Sequence, residues 1–72
     1  MLLPQASLDS SSLRSAGYSA EPGTLEITFR SGVIYRYSGV PPHLYQALLD
    51  ASSKGRYFNA VIRPSFRFER IQ

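Results

Sequence analysis

The strongest constraint on the fold is a stretch of strict alternation followed by a turn and a second β-rich segment. Apolar and polar residues alternate over 25–30 (Leu-Glu-Ile-Thr-Phe-Arg), the period of a strand with one buried face. Ser31-Gly32 follows as a turn, and residues 33–37 (Val-Ile-Tyr-Arg-Tyr) have the composition of a returning strand. With a short strand over residues 12–18, the pattern predicts a three-stranded meander over residues 12–37.

A proline pair ends the meander and predicts a helix start. Pro42 suits the first helical turn, where its missing N–H is not needed. Leu44, Leu48 and Ala51 have the spacing i, i+4, i+7, which indicates an amphipathic helix of about three turns. Gly55 is the predicted stop, because glycine accepts the left-handed conformation that follows many helices.

The remainder of the chain predicts one more strand and leaves its partner open. Residues 66–71 alternate again, whereas residues 56–62 fit either a helical turn or an extended link. The predicted fold is α+β, mostly β, in the order β-β-β-α-β. It is a small curled antiparallel sheet or a partly open barrel, and pairing of the last strand with the first would close it.

Residues 1–11 have no apolar period and predict a loose N-terminal arm, with residues 12–72 as a single domain. Two periodic stretches and two later apolar residues supply the predicted core, which consists of Leu25, Ile27, Phe29, Leu44, Leu48, Phe58 and Ile62.

Composition limits the classes of function. The 72 residues contain no cysteine, which excludes a disulfide framework and a thiolate zinc site. No apolar run approaches the length of about 20 residues that spans a bilayer, so we expect a cytoplasmic protein without a membrane partner. The net charge is +3, and seven of the eight cations are arginine, which suits planar recognition of phosphate.

The titratable residues do not form a catalytic pattern. His43 is the one histidine and falls on the polar face of the predicted helix. Ser53 and Lys54 are adjacent on that helix and therefore point apart. The carboxylates are scattered singly: Asp9, Glu21, Glu26, Asp50 and Glu69. We therefore predict no catalytic residue, no metal site and no cofactor.

Two linked motifs resemble a known family. They are Gly32-x-x-Tyr35-x-Tyr37-x-x-Val40-Pro41 and Ala51-Ser-Ser-x-Gly55-x-Tyr-Phe58-Asn59-x-x-Ile62-Arg63. The pattern is similar to the KTSC family, a short domain that occurs at the C-terminus of some lysyl-tRNA synthetases and alone in bacteria. The resemblance implies an RNA partner, such as tRNA, and an Sm-like or SH3-like small barrel. The helix before the last strand departs from the usual Sm order.

The leading functional hypothesis is a non-catalytic module that binds RNA through backbone contacts from Arg and Lys and through aromatic stacking. The segment 52–59 combines cations, hydroxyls and an amide, although the same residues also suit a helix end whose cations complement the dipole. Tyr35 and Tyr37 fit either stacking platforms or core residues. The predicted RNA-binding residues are Lys54, Arg56, Tyr57, Asn59, Arg63, Arg36, Tyr35 and Tyr37.

The alternative hypothesis is a protein interaction or self-association domain. An exposed edge strand would pair with a partner peptide or with a second copy of the chain to form a homodimer.

Overall fold

The computed structural model describes residues 2–72 and contains one antiparallel sheet with helical segments inserted before the last strand. The strands are β1 (Ala6–Ser7), β2 (Leu13–Ser19), β3 (Thr24–Phe29), β4 (Ile34–Tyr37) and β5 (Phe68–Arg70). The helices are α1 (Pro42–Asp50) and α2 (Lys54–Tyr57), and α2 continues directly into a π-helix over Phe58–Ile62.

The predicted meander is confirmed, and the order of elements is corrected. Neighbours in sequence are neighbours in the sheet, in the order β1-β2-β3-β4-β5. The chain therefore runs β-β-β-β-α-α-β rather than β-β-β-α-β. β5 pairs with β4, with Tyr37 opposite Phe68 and Tyr35 opposite Arg70. Because β5 pairs with β4 and not with the first strand, the sheet stays open.

The predicted loose arm is held against the sheet over much of its length. Ala6 pairs with Ala16 in β2, and Leu8 is buried. Further upstream, the backbone N–H of Leu3 donates to Glu26 Oε1 at 2.8 Å. The strand pairing and the contact with Glu26 engage backbone groups and one carboxylate, and Leu8 is a single apolar residue, so this segment has no hydrophobic period in its sequence.

The core lies between the sheet and the helices. Five of the predicted core residues are buried: Leu25, Ile27, Leu48, Phe58 and Ile62. Full burial of a side chain of this kind stabilises the fold by about 1.5–3 kcal/mol relative to leaving it exposed. The other two predicted members, Phe29 and Leu44, are partly buried and pack against the same cluster.

Aromatic pairs join the layers of this core. The ring of Phe58 meets Phe29 and Tyr37 edge to face at centroid distances of 5.7 and 5.5 Å. The ring of Tyr45 in α1 stacks on Tyr18 in β2 at 4.6 Å. The helices therefore cover the face of the sheet that carries Leu25 and Ile27.

The first helix ends earlier than predicted. Ala51 leaves α1 in an extended conformation (φ −65°, ψ 138°), and Gly55 lies inside α2 without a positive φ. The predicted left-handed exit at Gly55 is therefore wrong, whereas Gly32 has the predicted positive φ of 97°. The absence of a side chain at Gly55 instead leaves room for Ser12, because a Cβ at this position would lie 2.5 Å from Ser12 Oγ.

Within residues 2–72, no helix has both the length and the apolar character to cross a membrane.

Candidate functional site

The turn between β1 and β2 meets the start of α2 and forms a polar cleft of about 400 Å³, which we call the serine cleft. One wall comes from the turn and the other from the segment after α1. Its lining residues are Asp9, Ser10, Ser11, Ser12, Ser52, Ser53, Lys54, Gly55, Arg56 and Asn59.

The serine wall is held by its own hydrogen bonds. The Ser10 hydroxyl accepts hydrogen bonds from the backbone N–H groups of Ser12 and Leu13, at 3.3 and 3.2 Å. From the end of β3, the Arg30 guanidinium donates twice to the Ser10 carbonyl oxygen, at 3.2 and 3.0 Å. The position of the turn is therefore set independently of any ligand.

Gly55 lets the two walls approach each other. The Ser12 hydroxyl occupies the position that a side chain at residue 55 would require. A larger residue at 55 would push the turn away from α2 or force the Ser12 side chain to rotate.

The cleft presents hydrogen-bond donors and positive charge. Within residues 2–72, the hydroxyls of Ser11, Ser12, Ser52 and Ser53 take part in no hydrogen bond, and Arg56 is exposed without a side-chain partner. The Lys54 ammonium donates to the Ala51 carbonyl oxygen at 2.9 Å, which uses one of its three N–H donors.

Asp9 contributes the one carboxylate of the lining. Neither Lys54 nor Arg56 forms an ion pair with it among the described residues. The two cations therefore exceed the single carboxylate, and the cleft favours an anion.

A second depression of about 240 Å³ lies one helical turn further along, and we call it the aromatic cleft. Its lining residues are Phe29, Ser31, Val33, Tyr35 and Arg63. The Phe29 and Tyr35 rings are half-buried and meet edge to face at 5.5 Å. Arg63 Nη1 donates to Asn59 Oδ1 at 3.4 Å, and this contact connects the two clefts.

Phe68 extends the aromatic surface beyond the aromatic cleft. Its side chain is 51% exposed, and its ring lies 5.1 Å from that of Tyr35 and 5.5 Å from that of Tyr37. An aromatic ring in β5 thus remains accessible beside the cleft.

Tyr37 belongs to the core and not to the accessible surface. It is 1% exposed, so its ring cannot offer a face to a ligand. Burial raises the pKa of its hydroxyl, while the charge of Arg63 lowers it and Tyr35 raises it further. Of the two alternatives for Tyr37, the core assignment is confirmed.

Arg36 lies on the opposite face of the sheet from the two clefts. Its guanidinium binds the buried carboxylate of Glu26 at 2.7 Å and approaches Glu69 at 3.8 Å. This ion pair stabilises the second face of the sheet, so the structure separates Arg36 from the other predicted RNA-binding residues.

The structure thus brings most of the predicted site residues to adjacent positions. Lys54, Arg56 and Asn59 line the serine cleft, and Tyr35 and Arg63 line the aromatic cleft. Tyr57 is half-buried and lines a neighbouring groove that also contacts Arg56.

His43 is exposed on α1 and lines neither cleft. Over residues 2–72, no three His, Cys, Asp or Glu side chains gather closely enough to hold a metal ion.

Sequence reasoning missed the serine wall and Phe68. Residues 10–12 span the end of the predicted loose arm, and the sequence contains no signal that pairs them with residues 52–55. Phe68 lies within the alternating stretch of residues 66–71, but that pattern does not show that it is exposed. Its exposure depends on β5 lying at the end of the sheet.

Comparisons with known proteins identify relatives over nearly the whole chain. The KTSC domain model matches residues 9–66. An uncharacterised protein of Stutzerimonas stutzeri is 51% identical over 70 residues, which is 96% of this chain and 99% of that protein. The lysine–tRNA ligase of Nostoc punctiforme is 37% identical over 71 residues, which is 99% of this chain and 12% of the ligase.

A solved structure has the same fold. The crystal structure of a KTSC domain protein from Yersinia pestis superimposes with a TM-score of 0.93 at 37% identity, covering 99% of this chain and 100% of that one. The match of the family model to most of the chain, together with this structural agreement, shows that the chain belongs to the KTSC domain family.

Proposed function

We propose that this protein is a non-catalytic RNA-binding module that holds the phosphate backbone in the serine cleft. The observation that carries the proposal is the combination of Lys54 and Arg56 with unbonded serine hydroxyls in one cleft of about 400 Å³. Serine hydroxyls, arginine and lysine are the side chains that commonly contact phosphate oxygens in nucleic-acid complexes.

The two cations have different roles in the proposed contact. Arg56 is exposed and without a partner within residues 2–72, so its planar guanidinium is available for a bidentate contact with phosphate. Lys54 is tethered to Ala51 and supplies a point charge at a set position. Asn59 offers an amide at the side of the cleft that leads to Arg63.

The comparisons support an RNA ligand. Nearly all of this chain is similar to a segment of lysine–tRNA ligases, proteins whose name implies a tRNA substrate. A domain in such a protein has tRNA available as a partner, and we extend that ligand class to this chain as part of the proposal.

Binding of labelled total tRNA, measured by fluorescence anisotropy between 50 and 200 mM salt, tests the proposal. We expect the logarithm of the association constant to fall linearly with the logarithm of salt concentration. Arg56→Ala removes one phosphate contact and should reduce the slope by about 0.7–0.9. The matched control is Arg67→Ala, which removes the same charge from an exposed position outside both clefts.

Two results would contradict the proposal. Absence of tRNA binding at 50 mM salt would reject RNA as the ligand. Equal loss of affinity in the Arg56 and Arg67 variants would show diffuse attraction to a basic surface without a role for the serine cleft. Circular dichroism of each variant checks that the fold is retained.

Self-association through β5 is the second candidate. β5 forms one end of the sheet and presents the exposed side chain of Phe68, so its outer edge can accept another strand. Sedimentation at several protein concentrations tests this candidate, which predicts a dimer that Phe68→Ser dissociates and that salt hardly affects.

A further inference from the structure

We infer that the aromatic cleft holds an unpaired nucleobase, so that the preferred ligand is single-stranded RNA whose phosphate lies in the serine cleft. This inference rests on the proposed RNA-binding function and adds the structural class of the RNA. Two observations support it: the aromatic cleft lies beside the serine cleft, and the aromatic cleft is lined by groups that suit a base.

The two clefts are spaced for neighbouring parts of one strand. Asn59 lines the serine cleft, Arg63 lines the aromatic cleft, and their side chains meet at 3.4 Å. Asn59 and Arg63 lie four residues apart at the end of the same helical segment, so the two clefts lie side by side. A strand with its phosphate against Lys54 and Arg56 can therefore place a base in the aromatic cleft.

The lining of the aromatic cleft suits a flat ring. Phe29 and Tyr35 are half-buried aromatic rings, Val33 adds an apolar wall, and Arg63 adds a planar cation. Bases stack on aromatic rings and on guanidinium planes irrespective of sequence, because every base has a π-face. Ser31 provides a hydroxyl for a base edge.

The volume of the aromatic cleft and the charge around it suit a single base attached to an anionic backbone. A volume of about 240 Å³ is below that of typical pockets for drug-sized ligands, which begin at about 300 Å³. Arg70 stands opposite Tyr35 in the register, on the same face of the sheet as the aromatic cleft. Together with Arg63, it makes this surface favourable for an apolar ring carried by an anionic backbone.

The geometry distinguishes single strands from duplexes. In a duplex, neighbouring bases cover each other's faces, so aromatic side chains reach bases only where the strand is unpaired. The serine cleft alone would accept phosphates of either form. A preference for single strands therefore reports on the aromatic cleft specifically.

The experiment uses the full chain and an RNA oligonucleotide that contains 2-aminopurine, as a single strand and annealed to its complement. We expect quenching of 2-aminopurine on binding of the single strand and weaker binding of the duplex at equal salt. Tyr35→Leu should reduce affinity for the single strand about 5- to 150-fold, without changing the salt slope or duplex affinity.

The matched control is Tyr45→Leu, a half-buried tyrosine on α1 that lines neither cleft, which should leave quenching intact. If Tyr35→Leu impairs folding, the comparison of single strand and duplex on the unaltered protein decides the question without a variant.

These measurements distinguish failure of the base site in the aromatic cleft from failure of RNA binding as a whole. Equal binding of single strand and duplex with sensitivity to Arg56→Ala would overturn the base site and leave the proposed function standing. No binding of either RNA would reject the proposed function itself. A Phe68-dependent dimer with unchanged 2-aminopurine emission would assign this surface to contact between copies and overturn the inference.

Discussion

Replacement of Gly17 by alanine should release the N-terminal segment from the sheet. A Cβ at residue 17 would collide with the Gln5 side-chain amide and lie 2.9 Å from the Pro4 carbonyl oxygen and 3.0 Å from Leu3 Cβ. The Gln5 amide can rotate away, but the Pro4 carbonyl belongs to the backbone. Residues 3–5 must therefore shift as a unit.

The energetic cost of this shift follows from the hydrogen bond that it weakens. Lifting the segment lengthens the 2.8 Å hydrogen bond from the Leu3 N–H to Glu26, and a hydrogen bond to a charged group contributes about 1.5–3 kcal/mol. Glycine-to-alanine replacement at a compatible backbone position stabilises by about 0.4–1 kcal/mol. The free energy of unfolding should therefore fall by about 0.5–2.5 kcal/mol.

Urea denaturation followed by circular dichroism measures this change, in the full chain and in a chain without residues 1–5. In the shortened chain the new methyl group has no N-terminal segment to displace. Gly17→Ala should then be neutral or stabilising by about 0.4–1 kcal/mol. The difference between the two backgrounds isolates the coupling between Gly17 and the segment.

Gly32→Ala provides a matched control. Gly32 has a φ of 97°, and nothing lies within 4 Å of the position of its Cβ. Its replacement should cost about 1–3 kcal/mol through backbone strain alone, and equally in both backgrounds. Equal destabilisation by Gly17→Ala in both backgrounds would refute the reasoning, because the loss would then not depend on residues 1–5.

Two further outcomes follow from burial. Phe58→Ala should lower the free energy of unfolding by about 3–5 kcal/mol because Phe58 is 1% exposed, whereas Phe68→Ala, at 51% exposure, should cost less than about 1 kcal/mol. Similar urea midpoints for the two variants would contradict the assignment of Phe58 to the core. Burial also raises the pKa of Tyr18 above the ordinary value of 10.0. The unfolded chain then loses this proton first, so stability should be full below about pH 10 and fall as the pH rises further. Tyr18→Phe should make that fall shallower in urea titrations between pH 8 and 11, while it removes the hydrogen bond to Val40.

Local pattern was sufficient for the meander and for most of the core. The alternation at residues 25–29 predicts a strand with one buried face, and Leu25 and Ile27 are fully buried, although Glu26 and Thr28 on the polar face are buried as well. Gly32 takes its positive φ because a tight turn imposes that conformation locally. The spacing of Leu44 and Leu48 likewise located α1, although Leu44 remains partly exposed.

The sequence located the cations of the candidate site but not the cleft that surrounds them. Lys54, Arg56 and Asn59 lie within one short segment, so their proximity is a local property. The serine turn that completes the cleft comes from about forty residues upstream. Its approach depends on β1 pairing with β2, and Gly55 leaves room for the Ser12 hydroxyl.

Tertiary structure also decided which aromatic residues are accessible. Tyr35 and Tyr37 occupy the same strand face and are equivalent by pattern, yet Phe58 packs against Tyr37 and buries it, whereas Tyr35 borders the aromatic cleft. Arg36 and Arg63 are both plausible RNA contacts by residue type, but Arg36 is drawn to the buried carboxylate of Glu26. Residue type and period therefore determined the meander, α1 and the apolar face of β3. The contacts between distant segments determined which polar and aromatic groups remained available to a ligand, because burial and charge pairing depend on neighbours that are remote in sequence.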